Sequence, residues 1–137
     1  MSTTGSLKGL SILPDDAGWK RVLVVDDDLV QRMLLVRILR KAGYECASAM
    51  SNEEARSLLD GSSFGLVVAD LHMFAEDGIE LVRYVSDHYP DTYSIVVSGF
   101  VAEEDGDAVR RAGAFDLMTK PIDPDRFVEK VKDAFKS

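Results

Sequence analysis

Three short apolar runs, VLVV at 22–25, LVVA at 66–69 and SIVV at 94–97, are continuous rather than alternating. A strand with one wet face alternates apolar and polar residues. An unbroken run therefore marks a strand covered on both faces, the condition of a parallel sheet sandwiched between helices. Longer amphipathic stretches separate the runs, the pattern of repeated βα units. Strands are predicted at 21–26, 44–49, 65–70, 93–98 and 115–119, and helices at 29–42, 52–60, 77–88, 102–112 and 124–135. In the last helix, Phe127, Val131, Ala134 and Phe135 fall at i, i+4, i+7 and i+8, one apolar stripe. Gly43, Gly61 and Gly113 follow helices, where a left-handed residue is wanted, and Pro90 follows the third helix. Five such units within residues 21–137 predict an α/β fold. Its form is a doubly wound five-stranded parallel sheet of flavodoxin-like order 2-1-3-4-5 with five helices. Its ligand site is expected at the carboxyl ends of the strands. Residues 1–20, rich in Ser, Thr and Gly with a small apolar cluster at Leu10, Ile12 and Leu13, read as an extension outside this core.

Charge excludes one class of function. Sixteen Lys and Arg against 24 Asp and Glu leave a net charge of −8, so the domain is not expected to grip nucleic acid phosphates or membrane surfaces by itself. Cys46 is the single cysteine, which rules out an intrachain disulfide and suits a reducing, cytoplasmic setting. No apolar run reaches the roughly 18 residues of a membrane span, and the N-terminus lacks the basic start and apolar core of a signal peptide.

Chemistry gathers at the strand ends. The first predicted strand ends in Asp26 and Asp27, the third in Asp70 and the fourth in Ser98, while the fifth runs into Lys120-Pro121. In the predicted order, three carboxylates, a hydroxyl and an ammonium converge on one edge of the sheet. Carboxylates so close repel, and at least one pKa rises unless a hard cation sits among them. Mg²⁺ suits the set: it prefers oxygen ligands and is held by one or two carboxylates plus phosphate oxygens, and Mn²⁺ has similar tastes. The constellation therefore asks for a divalent cation and a phosphoryl group, with Lys120 and Ser98 offering charge and a hydrogen bond to phosphoryl oxygens. An Asp carboxylate can itself be the nucleophile that forms an aspartyl phosphate. Asp28, beside the first helix, reads as its cap.

The segments VLVVDDDLVQR, LVVADLHMFAEDG, VVSG and LMTKP, in this order and spacing, resemble the receiver domain of two-component response regulators over about residues 20 to 136. The resemblance implies that Asp70 accepts a phosphoryl group from a histidine of a sensor kinase or a phosphotransfer protein. It implies that Asp26, Asp27, Asp70 and the backbone carbonyl of His72 hold Mg²⁺, and that Ser98 and Lys120 bind the phosphoryl oxygens. A cis bond before Pro121 is implied as well. Such a domain is not an enzyme in the usual sense, since it transfers a phosphoryl group only onto and off itself. Its output passes through the face of the fourth helix, fifth strand and fifth helix to an effector domain or downstream protein, or to a homodimer.

Departures from the family pattern matter as well. Phe74 stands where the family usually has Pro. Leu117 stands where it usually has an aromatic that turns inward on activation, which questions the coupling of Ser98 to that face. His72 and Phe100, each two residues after a site residue, are large and would flank the path of an attacking water, so slow loss of the phosphoryl group is expected. Gly106 weakens the 102–112 helix by about 1 kcal/mol relative to Ala, which suits a loosely held, shifting element. Arg32 is expected to face solvent.

Other classes fit less well. The VVDDD strand resembles a nucleotide-hydrolase metal strand, but no G-x-x-x-x-G-K-[ST] loop precedes it. An Asp-nucleophile phosphatase wants an acid two residues after Asp70, where His72 stands. A flavin module wants a phosphate-binding loop in place of DDDLVQ. The rival from a different class is a degenerate receiver that serves only for docking or dimerisation.

Overall fold

The computed structural model describes residues 20–73, 76–99 and 102–137. It contains β1 (Arg21–Val25), α1 (Leu29–Lys41), β2 (Glu45–Ala49), α2 (Asn52–Gly61) and β3 (Leu66–Asp70). A short pair follows, β4 (His72–Met73) and β5 (Glu76–Asp77). After it come α3 (Gly78–His88), β6 (Tyr93–Ser98), α4 (Glu103–Ala112), β7 (Asp116–Thr119) and α5 (Pro124–Lys136). The main sheet runs β2-β1-β3-β6-β7, every pair parallel. Counted along the chain, those five strands have the order 2-1-3-4-5, as the apolar runs predict.

Alternate residues of each central strand feed opposite layers, which is why their runs are continuous. Val22, Val24, Leu66, Val68, Ile95 and Val97 pack with Leu35 and Leu39 of α1 and Phe127, Val131 and Ala134 of α5. Their neighbours Leu23, Val25, Val67 and Ala69 turn the other way onto Ala55 and Leu59 of α2 and Leu81 and Val85 of α3. A third cluster joins Val96 to Leu71, Val82, Val109 and Ala112 under α3 and α4. Burying a residue the size of Val or Leu contributes about 1.5–3 kcal/mol, so two filled layers hold the strand order firmly.

Caps set the helix starts. Asp28 accepts from the amides of Val30 and Gln31, Ser51 from Glu54, Asp77 from Ile79 and Asp123 from Asp125. Gly43 and Gly113 adopt φ of +100° and +108°, as expected of glycines that follow helices. Gly61 does not. Helix α2 runs through it and stops at Ser62 in extended backbone, because the chain turns straight toward β3 without needing a left-handed residue. The β4–β5 pair is also absent from the sequence reading, since two-residue strands carry no periodicity. Phe74 and Phe100 lie outside the described residues. Among those described, no helix is long and apolar enough to cross a membrane.

Candidate functional site

Register brings the reactive ends together. Val25 of β1 pairs with Ala69 of β3, Asp70 with Val97 of β6, and Ser98 with Thr119 of β7. The next residues along each strand, Asp26 with Asp27, Asp70, Ser98 and Lys120, therefore crowd one edge. Asp26, Asp70 and Ser98 are buried, while Asp27 stays open to solvent, and carboxylate oxygens of Asp26, Asp27 and Asp70 lie within 4.8 Å of one another.

Lys120 is shared. Its Nζ sits 3.3 Å from Asp26 Oδ2 and 3.3 Å from Asp70 Oδ2, longer than the ~2.7–2.9 Å of an ammonium devoted to one carboxylate. The Lys120–Pro121 bond is cis, and the Lys120 amide donates to the Ser98 carbonyl at 2.8 Å. Three carboxylates and one ammonium leave two negative charges when all are ionised. Burial raises the Asp26 carboxyl above its ordinary value; the Asp28 amide and Lys120 oppose the rise and the charge of Asp70 adds to it. An all-oxygen, doubly negative pocket fits one hard divalent cation.

Backbone contacts fix the two buried acids. Asp26 Oδ1 accepts from the Asp28 amide at 2.9 Å and its own amide donates to the Ala49 carbonyl at 3.1 Å. Asp70 Oδ1 accepts from the His72 amide at 3.2 Å, and the His72 side chain is exposed. Leu117 packs into the cluster around Val96 and Val109, on the layer that α4 covers.

Two further residues serve the site in ways the sequence hides. Arg32, expected to face solvent, instead donates through Nη1 to the Asp26 carbonyl at 2.6 Å. Gly78 begins α3 directly against β3: a Cβ there would lie 2.2 Å from the Asp70 carbonyl oxygen. The AEDG segment contains that glycine, but a sequence shows a close approach only after the fold is known.

Fold and site together define a receiver-domain architecture. The response regulator receiver domain model matches residues 22–132, and the chain belongs to this family. It is 33% identical over 114 residues to the hydrogenase transcriptional regulatory protein HoxA of Bradyrhizobium diazoefficiens, covering 82% of this chain and 23% of that protein. The chain thus spans about a quarter of the curated relatives it matches. Among solved structures it resembles a CheY-like receiver domain of Methanospirillum hungatei JF-1, with TM-score 0.82, 29% identity and coverage of 85% and 94% of the two chains. It also resembles the beryllofluoride-activated NtrC4 receiver domain dimer, with TM-score 0.81, 31% identity and coverage of 85% and 97%.

Proposed function

We propose that this receiver domain accepts a phosphoryl group on Asp70 and passes the resulting change of shape to a partner. The observation that carries the reading is the Asp70 carboxylate, held 3.3 Å from Lys120 and within a three-carboxylate cluster. An Asp70 oxygen attacks the phosphorus of a phosphohistidine on a sensor kinase or phosphotransfer protein. The P–N bond breaks, and its electron pair leaves on the imidazole, which takes up a proton. Lys120 meets the negative charge on the phosphoryl oxygens, and the Ser98 hydroxyl donates to one of them. Asp26, Asp27, Asp70 and the His72 carbonyl hold Mg²⁺, or Mn²⁺ in its place. When bound, the cation neutralises charge between the carboxylates and the incoming group.

Protein docking has a surface ready beside the site. Among the described residues, the exposed large hydrophobic ones, Leu29, Val30, Met33 and Leu34 of α1 and Met50 after β2, are 43–73% exposed. All flank the loops that carry Asp27 or precede α2, which suits a protein donor. Output leaves through the α4–β7–α5 face to an effector domain, a downstream protein or a second copy. The exposed His72 side chain, two residues after Asp70, slows the loss of the phosphoryl group by narrowing the approach of water.

Incubation with Mg²⁺ and acetyl phosphate, followed by intact mass, tests the reading. One phosphoryl adduct is expected on the unaltered chain and none on Asp70→Asn. No adduct on the unaltered chain leaves the docking-module function in its place, and an adduct that survives Asp70→Asn overturns Asp70 as the acceptor.

A further inference from the structure

Asp26 is gripped at each of its polar groups. Its amide donates to Ala49, its two carboxylate oxygens accept from Asp28 and Lys120, and its carbonyl accepts from Arg32 at 2.6 Å. The last contact has a reach the others lack. The carbonyl oxygen of Asp26 belongs to the peptide plane shared with Asp27, so a group that fixes this oxygen also fixes the orientation in which Asp27 leaves the strand.

Arg32 has an electrostatic reason to be elsewhere. It lies in the first turn of α1, where the helix dipole disfavours a cation. Helical side chains lean toward the N-terminus, and Arg32 uses that lean to reach back six residues. A neutral residue would avoid the dipole, but no neutral side chain of similar length carries a planar fork of N–H donors.

We propose that Arg32 is a positioning residue for the cation site: its hydrogen bond to the Asp26–Asp27 peptide holds the Asp27 carboxylate in its place beside Asp26 and Asp70. The inference rests on the metal-binding reading above. Two effects of Arg32 on the cation have opposite signs. Its positive charge repels a divalent ion, so a purely electrostatic role makes removal of the charge tighten binding. Positioning makes the same removal weaken it.

Mg²⁺ titrated calorimetrically into the full chain, with Mn²⁺ line broadening of the Asp27 resonances as a second readout, separates the two. Arg32→Met, which removes charge and donor at similar length, is expected to weaken Mg²⁺ roughly tenfold, about 1.4 kcal/mol. Arg32→Lys, which keeps a charged donor, is expected to recover most of that loss, within about threefold of the unaltered chain. Adduct formation from acetyl phosphate at saturating Mg²⁺ should return to within about twofold in Arg32→Met, because the effect lies on binding. Arg32→Leu, which also lacks a donor, repeats the test if the Met variant melts early. Equal or tighter Mg²⁺ binding by Arg32→Met or Arg32→Leu overturns the inference while saturable binding by the unaltered chain, lost in Asp27→Asn, leaves the metal reading standing. No saturable binding by the unaltered chain overturns both.

Discussion

Gly78→Ala adds one methyl group at the point where α3 touches β3. The new Cβ would stand 2.2 Å from the Asp70 carbonyl oxygen, 3.0 Å from its carbon and 3.1 Å from Leu71 Cα, against 3.4 Å for ordinary contact. All three neighbours are backbone, so no rotamer change relieves the clash, and helix and strand must part by about 1.2 Å. That parting stretches the 2.9 Å bond from the Gly78 amide to the Leu71 carbonyl, a loss of about 1 kcal/mol. Overpacking adds about 1–3 kcal/mol, and the better helix propensity of Ala returns up to about 1 kcal/mol. The net expectation is a destabilisation of about 2 kcal/mol, or roughly 8 °C in melting temperature for a domain of this size. Urea unfolding measures it, and Gly106→Ala supplies the control. A Cβ at Gly106 meets only the Arg110 guanidinium, at 3.7 Å, so the same chemical change inside α4 should stabilise by about 0.5–1 kcal/mol. A Gly78→Ala midpoint within about 0.5 kcal/mol of the unaltered chain, or equal losses at both positions, would refute the argument from close approach.

Mg²⁺ at ten times its dissociation constant should raise unfolding free energy by about 1.4 kcal/mol, and Asp27→Asn should abolish most of that gain in a thermal shift assay. Burial pushes the Cys46 thiol up from 9.0 to about 11. Below pH 9 its thiolate fraction is therefore about a hundredfold lower than that of a free cysteine, and iodoacetamide should react correspondingly slowly, its rate climbing until about pH 11. A rate near that of a free thiol at pH 8 would contradict this. Of the α4 side chains described, only Val109 and Ala112 are buried, so its amides should exchange hydrogen well before those of β1 and β3; equal protection would argue against a loosely held helix.

The strand order was legible because the central strands are buried on both faces, and burial writes itself into sequence as uninterrupted Val, Leu and Ile. The grouping of Asp26, Asp27, Asp70, Ser98 and Lys120 followed from that order, since each sits at the end of a strand. What escaped depends on reach across space. Arg32 looks like a solvent-facing helix residue until the turn before α1 brings the Asp26 carbonyl within range. Gly78 looks like an ordinary residue in the first turn of a helix until β3 lies against it. Gly61 looks like a helix stop, yet the chain leaves α2 through Ser62 in extended backbone instead. Propensity describes a residue's own backbone; the Arg32 and Gly78 outcomes were decided by the neighbour each meets.

The ion pair between Lys120 and Asp26 joins residues 94 positions apart, and that between Lys120 and Asp70 joins residues 50 apart. Closing a 94-residue loop costs about 4 kcal/mol by chain-length scaling alone, beyond a constant term. An ammonium shared at 3.3 Å cannot meet that demand before the sheet exists, so β7 must dock on β6 first. Asp70 therefore gains its Lys120 neighbour only after β7 has joined the sheet. In a nascent or partly unfolded chain Asp70 is one acid among many, and only the assembled sheet gives it the surroundings that set it apart.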